Sequence, residues 1–246
     1  MRNMMRHVFL ASVIALLAAV TTGTAAAVMV TPQTASVASI SPRPGAVVGI
    51  AHPVTVHFTA PVADRARAER SVHVGNLPGS FSWTGDRELT WTATGFLPAD
   101  SRFTVTAGDA RTDFRTDGGT SADADMSAHT FTVFIPGQAP RVMPASMGKP
   151  GRETPVGTFP VMEKDRTIIF DSRTIGIPLD DPEGYYLTGE FAERLTSGGV
   201  FVHSAPWSVG DQGNANVSHG CINLAPADAE WYYDNVSVGD PVTTHW

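Results

Sequence analysis

The segment VSHGCINL, residues 217–224, contains Cys221, the only cysteine of the chain. A free thiol with an ordinary pKa of about 8.5 is mostly protonated at neutral pH, so a working cysteine needs a neighbouring base or positive charge. If this segment is a strand, its period of two places His219, Cys221 and Asn223 on one face and the apolar residues on the other. The pattern predicts a nucleophilic cysteine on the polar face.

A second histidine stands at the end of another apolar segment. GVFVH, residues 199–203, has the pattern of a strand that ends in His203. The polar segment 208–217, rich in glycine and asparagine, is then a loop that can bring this strand end to the cysteine segment. His203 is therefore a second candidate partner for the thiol, although an ordinary surface histidine is the alternative interpretation.

The residue directly before the thiol is Gly220. A glycine removes a side chain at the place where a substrate carbonyl would approach the sulfur. We expect the backbone amides of Gly220 and Cys221 to donate hydrogen bonds to an oxyanion, which is the usual way to stabilise acyl-transfer transition states. A β-bulge is the alternative interpretation of this glycine.

The elements that must position these residues begin with a series of short strands. From residue 40 to residue 126, apolar and polar residues alternate in runs that turn residues separate, among them VTVHF (54–58), SVHV (71–74), SFSWT (80–84), ELTWTA (88–93) and RFTVTA (102–107). Such spacing is typical of an immunoglobulin-like sandwich. Only residues 63–70 look helical. We predict that residues 40–126 form a spacer domain without chemistry.

The second half of the chain is also predicted to be rich in strands. Residues 117–125 lose the hydrophobic alternation and mark the domain boundary, so the second domain spans residues 127–246. Two strands are expected around the Pro136–Gly137 turn, and RTIIFD (166–171) is another. The one clear helix is 226–236, which begins with proline and ends before a Gly-Asp-Pro turn. The fold class is therefore mainly β, with one helix packed on the second domain.

The N-terminus has the features of an export signal. Arg2 and Arg6 precede an apolar run from residue 8 to residue 20, and small residues follow up to Ala27. The run is too short for a comfortable membrane span, so residues 1–27 are interpreted as a signal peptide, with an uncleaved anchor as the alternative. Residues 28–39 would be a linker. We expect the protein to be exported to the periplasm or cell envelope.

The composition excludes some classes of function. The formal net charge is −7, and lysine and arginine are not clustered, which argues against a nucleic-acid groove. A single cysteine excludes an internal disulfide and leaves intermolecular pairing, an inert thiol or a reactive nucleophile. The sequence does not predict an oligomeric state.

His203, residues 204–217 and the run SHGCIN (218–223) together resemble the signature of L,D-transpeptidases with a YkuD-type catalytic domain. The segments HSAPW and NLAP with WYYD and VGDP are similar to mycobacterial and other actinobacterial members. Such enzymes carry an immunoglobulin-like domain before the catalytic one, so the resemblance covers nearly the whole chain after the signal. The paired histidine, the spacing and the asparagine together make it specific.

The resemblance implies a role for each residue of the signature. Cys221 would be the nucleophile, and His203 the general base and later the general acid. Ser204 would orient the imidazole. His219 and Asn223 would line the site.

Further substrate-contacting residues follow from the same resemblance. The active site of the family lies under a hairpin lid, and Phe170 and Tyr185 fall where lid residues touch the substrate. Gly198 and Gly199 lie where the donor peptide backbone is contacted. Trp207 would pack beside the site, with a place in the core as its alternative.

The implied reaction is acyl transfer on peptidoglycan stem peptides without a metal or other cofactor. The cysteine would attack a tetrapeptide donor, release D-alanine and pass the acyl group to a diaminopimelate amine of an acceptor stem, giving a 3→3 cross-link. Water as the acceptor would make the enzyme a carboxypeptidase. Carbapenems are expected to acylate the same thiol.

Three other functions compete with this interpretation. His203, His219 and Cys221 would be three ligands of a zinc hydrolase, but no acidic base is evident and the Gly-Cys-x-Asn run would be unexplained. A papain-like peptidase has its cysteine before its histidine, the reverse of the order of His203 and Cys221. A wall-binding module with a relic cysteine would show no thiol reactivity.

Overall fold

The structure is a computed structural model that describes residues 35–246. The predicted signal peptide and most of the predicted linker lie outside these residues. Within residues 35–246, no helix is both long and apolar enough to cross a membrane.

Eight strands and one short helix make up the first part of the described chain. They are β1 (Val37–Ser41), β2 (Val47–Val48), β3 (Val54–Phe58), α1 (Arg65–Ser71), β4 (Val72–Val74), β5 (Gly79–Thr84), β6 (Glu88–Ala93), β7 (Arg102–Ala107) and β8 (Ala110–Thr116). They form two four-stranded sheets, with the orders β1-β3-β6-β5 and β2-β8-β7-β4. All neighbours are antiparallel except β2 and β8. Because β1 begins at Val37, the predicted linker 28–39 extends three residues too far.

The two sheets pack face to face. Val54 and Trp91 of one sheet share a buried cluster with Phe103 and Phe114 of the other. The alternation of apolar residues along each strand supplies this core, as the sequence predicts for a sandwich. The predicted helix is also confirmed, and Asp64 caps it by accepting a hydrogen bond from the N–H of Arg67 at 2.9 Å.

Nine strands and one longer helix form the second part. They are β9 (Ser121–Asp125), β10 (Thr130–Phe134), β11 (Arg141–Ser146), β12 (Gly157–Pro160), β13 (Glu163–Asp171), β14 (Tyr186–Arg194), β15 (Phe201–Ser204), β16 (Ile222–Leu224), α2 (Pro226–Asn235) and β17 (Pro241–His245). Their sheet has the order β12-β17-β9-β10-β11-β16-β15-β14-β13. Helix α2 contacts β14 and β15, and its Tyr232 is fully buried. The predicted β-rich domain with one packed helix is confirmed.

The middle of this sheet brings the two halves of the signature together. Strands β15 and β16 are parallel neighbours, and His203 lies in register with Asn223. On the other side of β15, strands β14 and β13 form an antiparallel hairpin that ends the sheet. No pattern in the sequence predicts β14, whose Leu187 lines the site.

The predicted domain boundary at residues 126 and 127 lies one strand too late. Strand β9 pairs with β10 and β17 in the nine-stranded sheet, and its Ala122 and Ala124 are buried in the core of the second domain. The alternation in SADAD is real, but its apolar members are alanines, which have little β-propensity. The segment therefore has the composition of a linker and the structure of an interior strand.

This placement predicts the result of two truncations. A protein that begins at Gly119 keeps β9 and should fold, with its thiol still open to iodoacetamide. A protein that begins at Ser127 lacks an interior strand and should fail to fold. Circular dichroism, thermal unfolding and alkylation of Cys221 test both.

The protein that begins at Gly119 loses the contacts between the first domain and the second. These contacts lie away from Cys221. In the full chain, the N–H groups of Gly49 and Ala51 donate to the carbonyl oxygens of Val238 and Gly239, both at 2.8 Å. Loss of thiol reactivity in a folded protein beginning at Gly119 would show that the first domain supports the site.

Candidate active site

A cavity of about 290 Å³ lies between the cysteine segment and the hairpin of β13 and β14. Most of the residues predicted to act on substrate line it. These are Phe170, Tyr185, His203, Trp207, His219, Cys221 and Asn223. Leu187, Val217 and Ser218, which the sequence analysis did not select, complete the lining. Trp207 is 54% exposed, so it belongs to the wall of the cavity and not to the core.

The cysteine segment is not the continuous strand that the sequence predicts. Only Ile222–Leu224 is a strand, and Gly220 has a φ of 121°, which a β-strand does not accommodate. The side chain of Ser218 closes a turn instead: its hydroxyl donates to the carbonyl oxygen of Cys221 at 2.6 Å and accepts the N–H of Gly220 at 3.1 Å. His219, Cys221 and Asn223 share one cavity because of this turn, not because of strand periodicity.

This turn also changes the predicted oxyanion site. The N–H of Gly220 is already bonded to Ser218, and the carbonyl oxygen of Gly220 accepts a hydrogen bond from Thr154 at 2.9 Å. Gly220 is thus a rigid support for the thiol, which argues against its predicted role as an oxyanion donor. Of the predicted pair, the amide of Cys221 remains the candidate.

The thiol of Cys221 is protonated at neutral pH. Its sulfur lies 3.7 Å from the carbonyl oxygen of Gly199, to which it donates. Burial raises the thiol pKa to about 11, although the backbone N–H of Phe201 and the charge of Arg194 act in the opposite direction. Gly199 therefore meets the thiol directly through its backbone, whereas Gly198 does not line the cavity.

The imidazole of His203 is neutral and has a defined tautomer. Its Nδ1 lies 2.8 Å from the carbonyl oxygen of Ser204, and because a carbonyl oxygen only accepts, Nδ1 carries the proton. Nε2 is then left with a lone pair that can accept a proton. Burial lowers the pKa of His203 to about 4, with the Ser204 carbonyl opposing this effect. The predicted orienting role of Ser204 is thus performed by its main chain.

Aromatic rings hold this imidazole in place. The ring centroid of His203 lies 4.6 Å from that of Phe170 and 5.9 Å from that of Trp207. Phe170 reaches this position because Gly189 on the paired strand has no side chain: a Cβ there would lie 2.2 Å from the Phe170 ring. The absence of a side chain at Gly189 therefore lets Phe170 pack against His203.

We predict that Gly189→Ala displaces Phe170 from His203. Overpacking of this kind costs about 1–3 kcal/mol of stability, and the imidazole loses one of its two aromatic neighbours. The measurement is the thermal unfolding midpoint together with the acylation rate of Cys221. Gly210→Ala is the matched control, because a Cβ at Gly210 meets nothing within 4 Å. Equal behaviour of the two variants would contradict the packing role.

The second histidine lies on the opposite side of the cavity. The ring of His219 is 5.3 Å from that of Tyr185, and its Nε2 is 3.5 Å from a carboxylate oxygen of Glu183. Burial lowers the pKa of His219, and the nearby charge of Lys149 adds to the effect. Asn223 donates to the hydroxyl of Ser208 at 3.1 Å and is nearly fully buried. Both residues line the cavity.

The zinc alternative lacks a ligand set. In residues 35–246, no group of three or more His, Cys, Asp or Glu side chains converges as metal ligands. His203, His219 and Cys221 line one cavity, yet they do not form such a group.

Cys221 and the neutral imidazole of His203 line one cavity together with residues of the hairpin, an arrangement that suits nucleophilic catalysis by a cysteine. Comparison with known proteins defines the family. The model of the YkuD family, the L,D-transpeptidase catalytic domain, matches residues 100–243, and that of a bacterial Ig domain matches residues 17–110. The chain belongs to the L,D-transpeptidase family and is an enzyme of that class.

Individual relatives agree with this assignment. L,D-transpeptidase 1 of Mycobacterium tuberculosis is 52% identical over 209 residues, which cover 84% of this chain and 83% of the relative. A solved L,D-transpeptidase from Mycobacterium smegmatis is 53% identical, with a TM-score of 0.83 over 87% of this chain and all of that one. A solved L,D-transpeptidase in complex with imipenem is 50% identical, with a TM-score of 0.84 over the same shares.

Proposed function

We propose that this enzyme cross-links peptidoglycan through a thioester on Cys221. The observation that carries the proposal is the position of the only cysteine, in a cavity that also holds the neutral imidazole of His203. The thiol and the imidazole are both uncharged at neutral pH, so the sulfur is activated when it transfers its proton to Nε2 during attack.

The first half-reaction consumes the donor. The sulfur of Cys221 attacks the carbonyl carbon of the third residue of a tetrapeptide stem, and its proton passes to His203. The tetrahedral intermediate then collapses, the bond to the D-alanine nitrogen breaks, and His203 returns the proton to that nitrogen. Free D-alanine leaves, and the stem remains on the enzyme as a thioester.

The second half-reaction uses an acceptor amine. The side-chain amine of a diaminopimelate residue attacks the thioester carbonyl and gives a proton to His203. The carbon–sulfur bond breaks, and the thiolate takes the proton back from the imidazole. The product is an amide between the third residues of two stems, which is a 3→3 cross-link.

Two further parts of the proposal concern inhibitors and location. A relative forms a complex with imipenem, and another, L,D-transpeptidase 3 of Mycobacterium tuberculosis, carries a faropenem-derived adduct. We propose that carbapenems acylate Cys221 in this enzyme as well. We also propose that the enzyme works in the periplasm or cell envelope, because peptidoglycan is the proposed substrate and residues 1–27 have the composition of an export signal.

The test combines a mass measurement with product analysis. After incubation with a carbapenem, the intact mass should rise by one drug molecule, and peptide mapping should locate it on Cys221. With tetrapeptide stems, the enzyme should release D-alanine and form 3→3 dimers. Release of D-alanine without dimers would make it a carboxypeptidase, and a thiol without any reactivity would favour a wall-binding module.

A further inference from the structure

The loop of residues 148–154, here called the mouth loop, is built against the cysteine segment. The N–H of Lys149 donates to the carbonyl oxygen of Ser218 at 3.0 Å. The hydroxyl of Thr154 joins the two ends of the contact, since it accepts the N–H of Gly148 at 3.0 Å and donates to Gly220 at 2.9 Å. The backbone of this loop is therefore held beside the thiol turn.

The mouth loop and the hairpin meet through charged groups. Glu183, in the segment between β13 and β14, accepts a hydrogen bond from the ammonium group of Lys149 with one carboxylate oxygen. Its other oxygen is the one that lies 3.5 Å from Nε2 of His219. A single carboxylate thus spans a lysine and a histidine at the edge of the cavity.

Two polar groups at this edge lack partners of their own. Nε2 of His219 is buried, and its contact with Glu183 does not reach hydrogen-bond geometry, so within residues 35–246 it has no hydrogen-bond partner. The guanidinium of Arg152 makes no ion pair with any residue of the same range. Arg152 nevertheless belongs to this site, because its backbone carbonyl oxygen lies 3.6 Å from the position that a Cβ on Gly220 would take. Its charge also contributes to lowering the pKa of both Glu183 and His219.

We propose that Lys149, Arg152 and His219 form a carboxylate-binding subsite, and that Glu183 occupies it in the unliganded enzyme. The ligand is the C-terminal carboxylate of the donor stem. This inference rests on the proposed function, because that carboxylate belongs to the D-alanine that leaves when Cys221 attacks.

The chemistry of the donor explains why the subsite lies where it does. The leaving residue begins at the bond that breaks, so its carboxylate lies one residue beyond the carbonyl that the sulfur attacks. His219 precedes the thiol by two residues and lines the same cavity. The enzyme as a whole carries a net charge of −7, so a local cluster of cations is needed to attract an anionic peptide end.

Glu183 has one of two alternative roles, and an experiment can distinguish them. As a competitor, it pairs with the cations until a substrate carboxylate displaces it. As a simple tether, it would only hold the hairpin closed, and its removal would affect all ligands alike. The difference between a donor with a free carboxylate and one with an amide at the same end distinguishes these cases.

The test measures kcat/KM for a tetrapeptide donor and for the same peptide with a C-terminal amide. The wild type should prefer the free carboxylate, and Arg152→Gln should reduce this preference by about tenfold, as expected for the loss of a charge-assisted hydrogen bond. Glu183→Gln should lower KM for the carboxylate peptide and leave KM for the amide unchanged. Arg70→Gln is the matched control and should match the wild type, because Arg70 is exposed on α1 and forms no ion pair with any of residues 35–246.

Two results would overturn the proposal. The first is equal use of both peptides by the wild type, and the second is an unchanged preference in Arg152→Gln. A parallel change for both peptides in Glu183→Gln would reduce that residue to a tether and would contradict its competing role.

A second measurement keeps the subsite separate from the proposed function. If the wild type turns over neither peptide, the cross-linking proposal fails, but binding remains testable through the alkylation of Cys221 by iodoacetamide. The carboxylate peptide should slow alkylation more than the amide peptide, and Arg152→Gln should remove the difference. Equal protection by both peptides would contradict the subsite even when turnover is absent.

Discussion

Replacing Cys221 by alanine is expected to abolish both 3→3 dimer formation and carbapenem adduct formation. The chain has no other thiol that could take over the nucleophilic role. The side chain is small and lines a cavity, and its hydrogen bond to the carbonyl oxygen of Gly199 is long at 3.7 Å, so its removal should cost little stability. Intact mass after carbapenem treatment and product analysis with tetrapeptide stems are the measurements.

The control for this variant is its fold. The thermal unfolding midpoint and the circular dichroism spectrum of Cys221→Ala should match those of the wild type, since the turn at Ser218 bonds to the backbone of Cys221 and not to its sulfur. A variant that still formed 3→3 dimers would remove the nucleophile assignment.

The second large effect is expected for His203→Ala. General acid–base catalysis is typically worth about 10²–10⁴-fold, so the rate of acylation by a carbapenem should fall by that order. His219→Ala should lower the rate by less, because His219 lies beside Tyr185 and Glu183 and shapes the cavity edge. Both variants need a folding control, since each removes a ring with close neighbours.

The pH dependence of acylation separates the two histidines. In the wild type, the base loses its lone pair only below the His203 pKa of about 4, so the rate should be nearly constant above that pH. In His203→Ala only the thiolate reacts, and because the thiol pKa is about 11, the rate should rise about tenfold for each pH unit. A rate that rises in this way in His219→Ala, and not in His203→Ala, would reverse the assignment.

The local pattern of the sequence predicts most of the fold. In VTVHF, ELTWTA and RFTVTA the alternation of apolar and polar residues matches the strand period, and these strands are where that pattern places them. The prediction for SADAD was wrong because the buried residues of this strand are alanines, whose burial depends on the neighbouring strands β10 and β17. A strand of small residues has no strong local signal, so only pairing with other strands identifies it.

The sequence by itself selected Cys221 and the two histidines as candidates, because the residue types and their order in SHGCIN, together with the histidine upstream, are specific. Tertiary structure alone decided how they work together. Backbone geometry sets two of the contacts: the Gly220 N–H donates to Ser218, and His203 donates to the Ser204 carbonyl oxygen. The third, the ion pair of Lys149 with Glu183, joins two segments that are distant in the sequence. The pKa values of Cys221 and His203 likewise depend on burial, which is a property of the folded cavity and not of either residue.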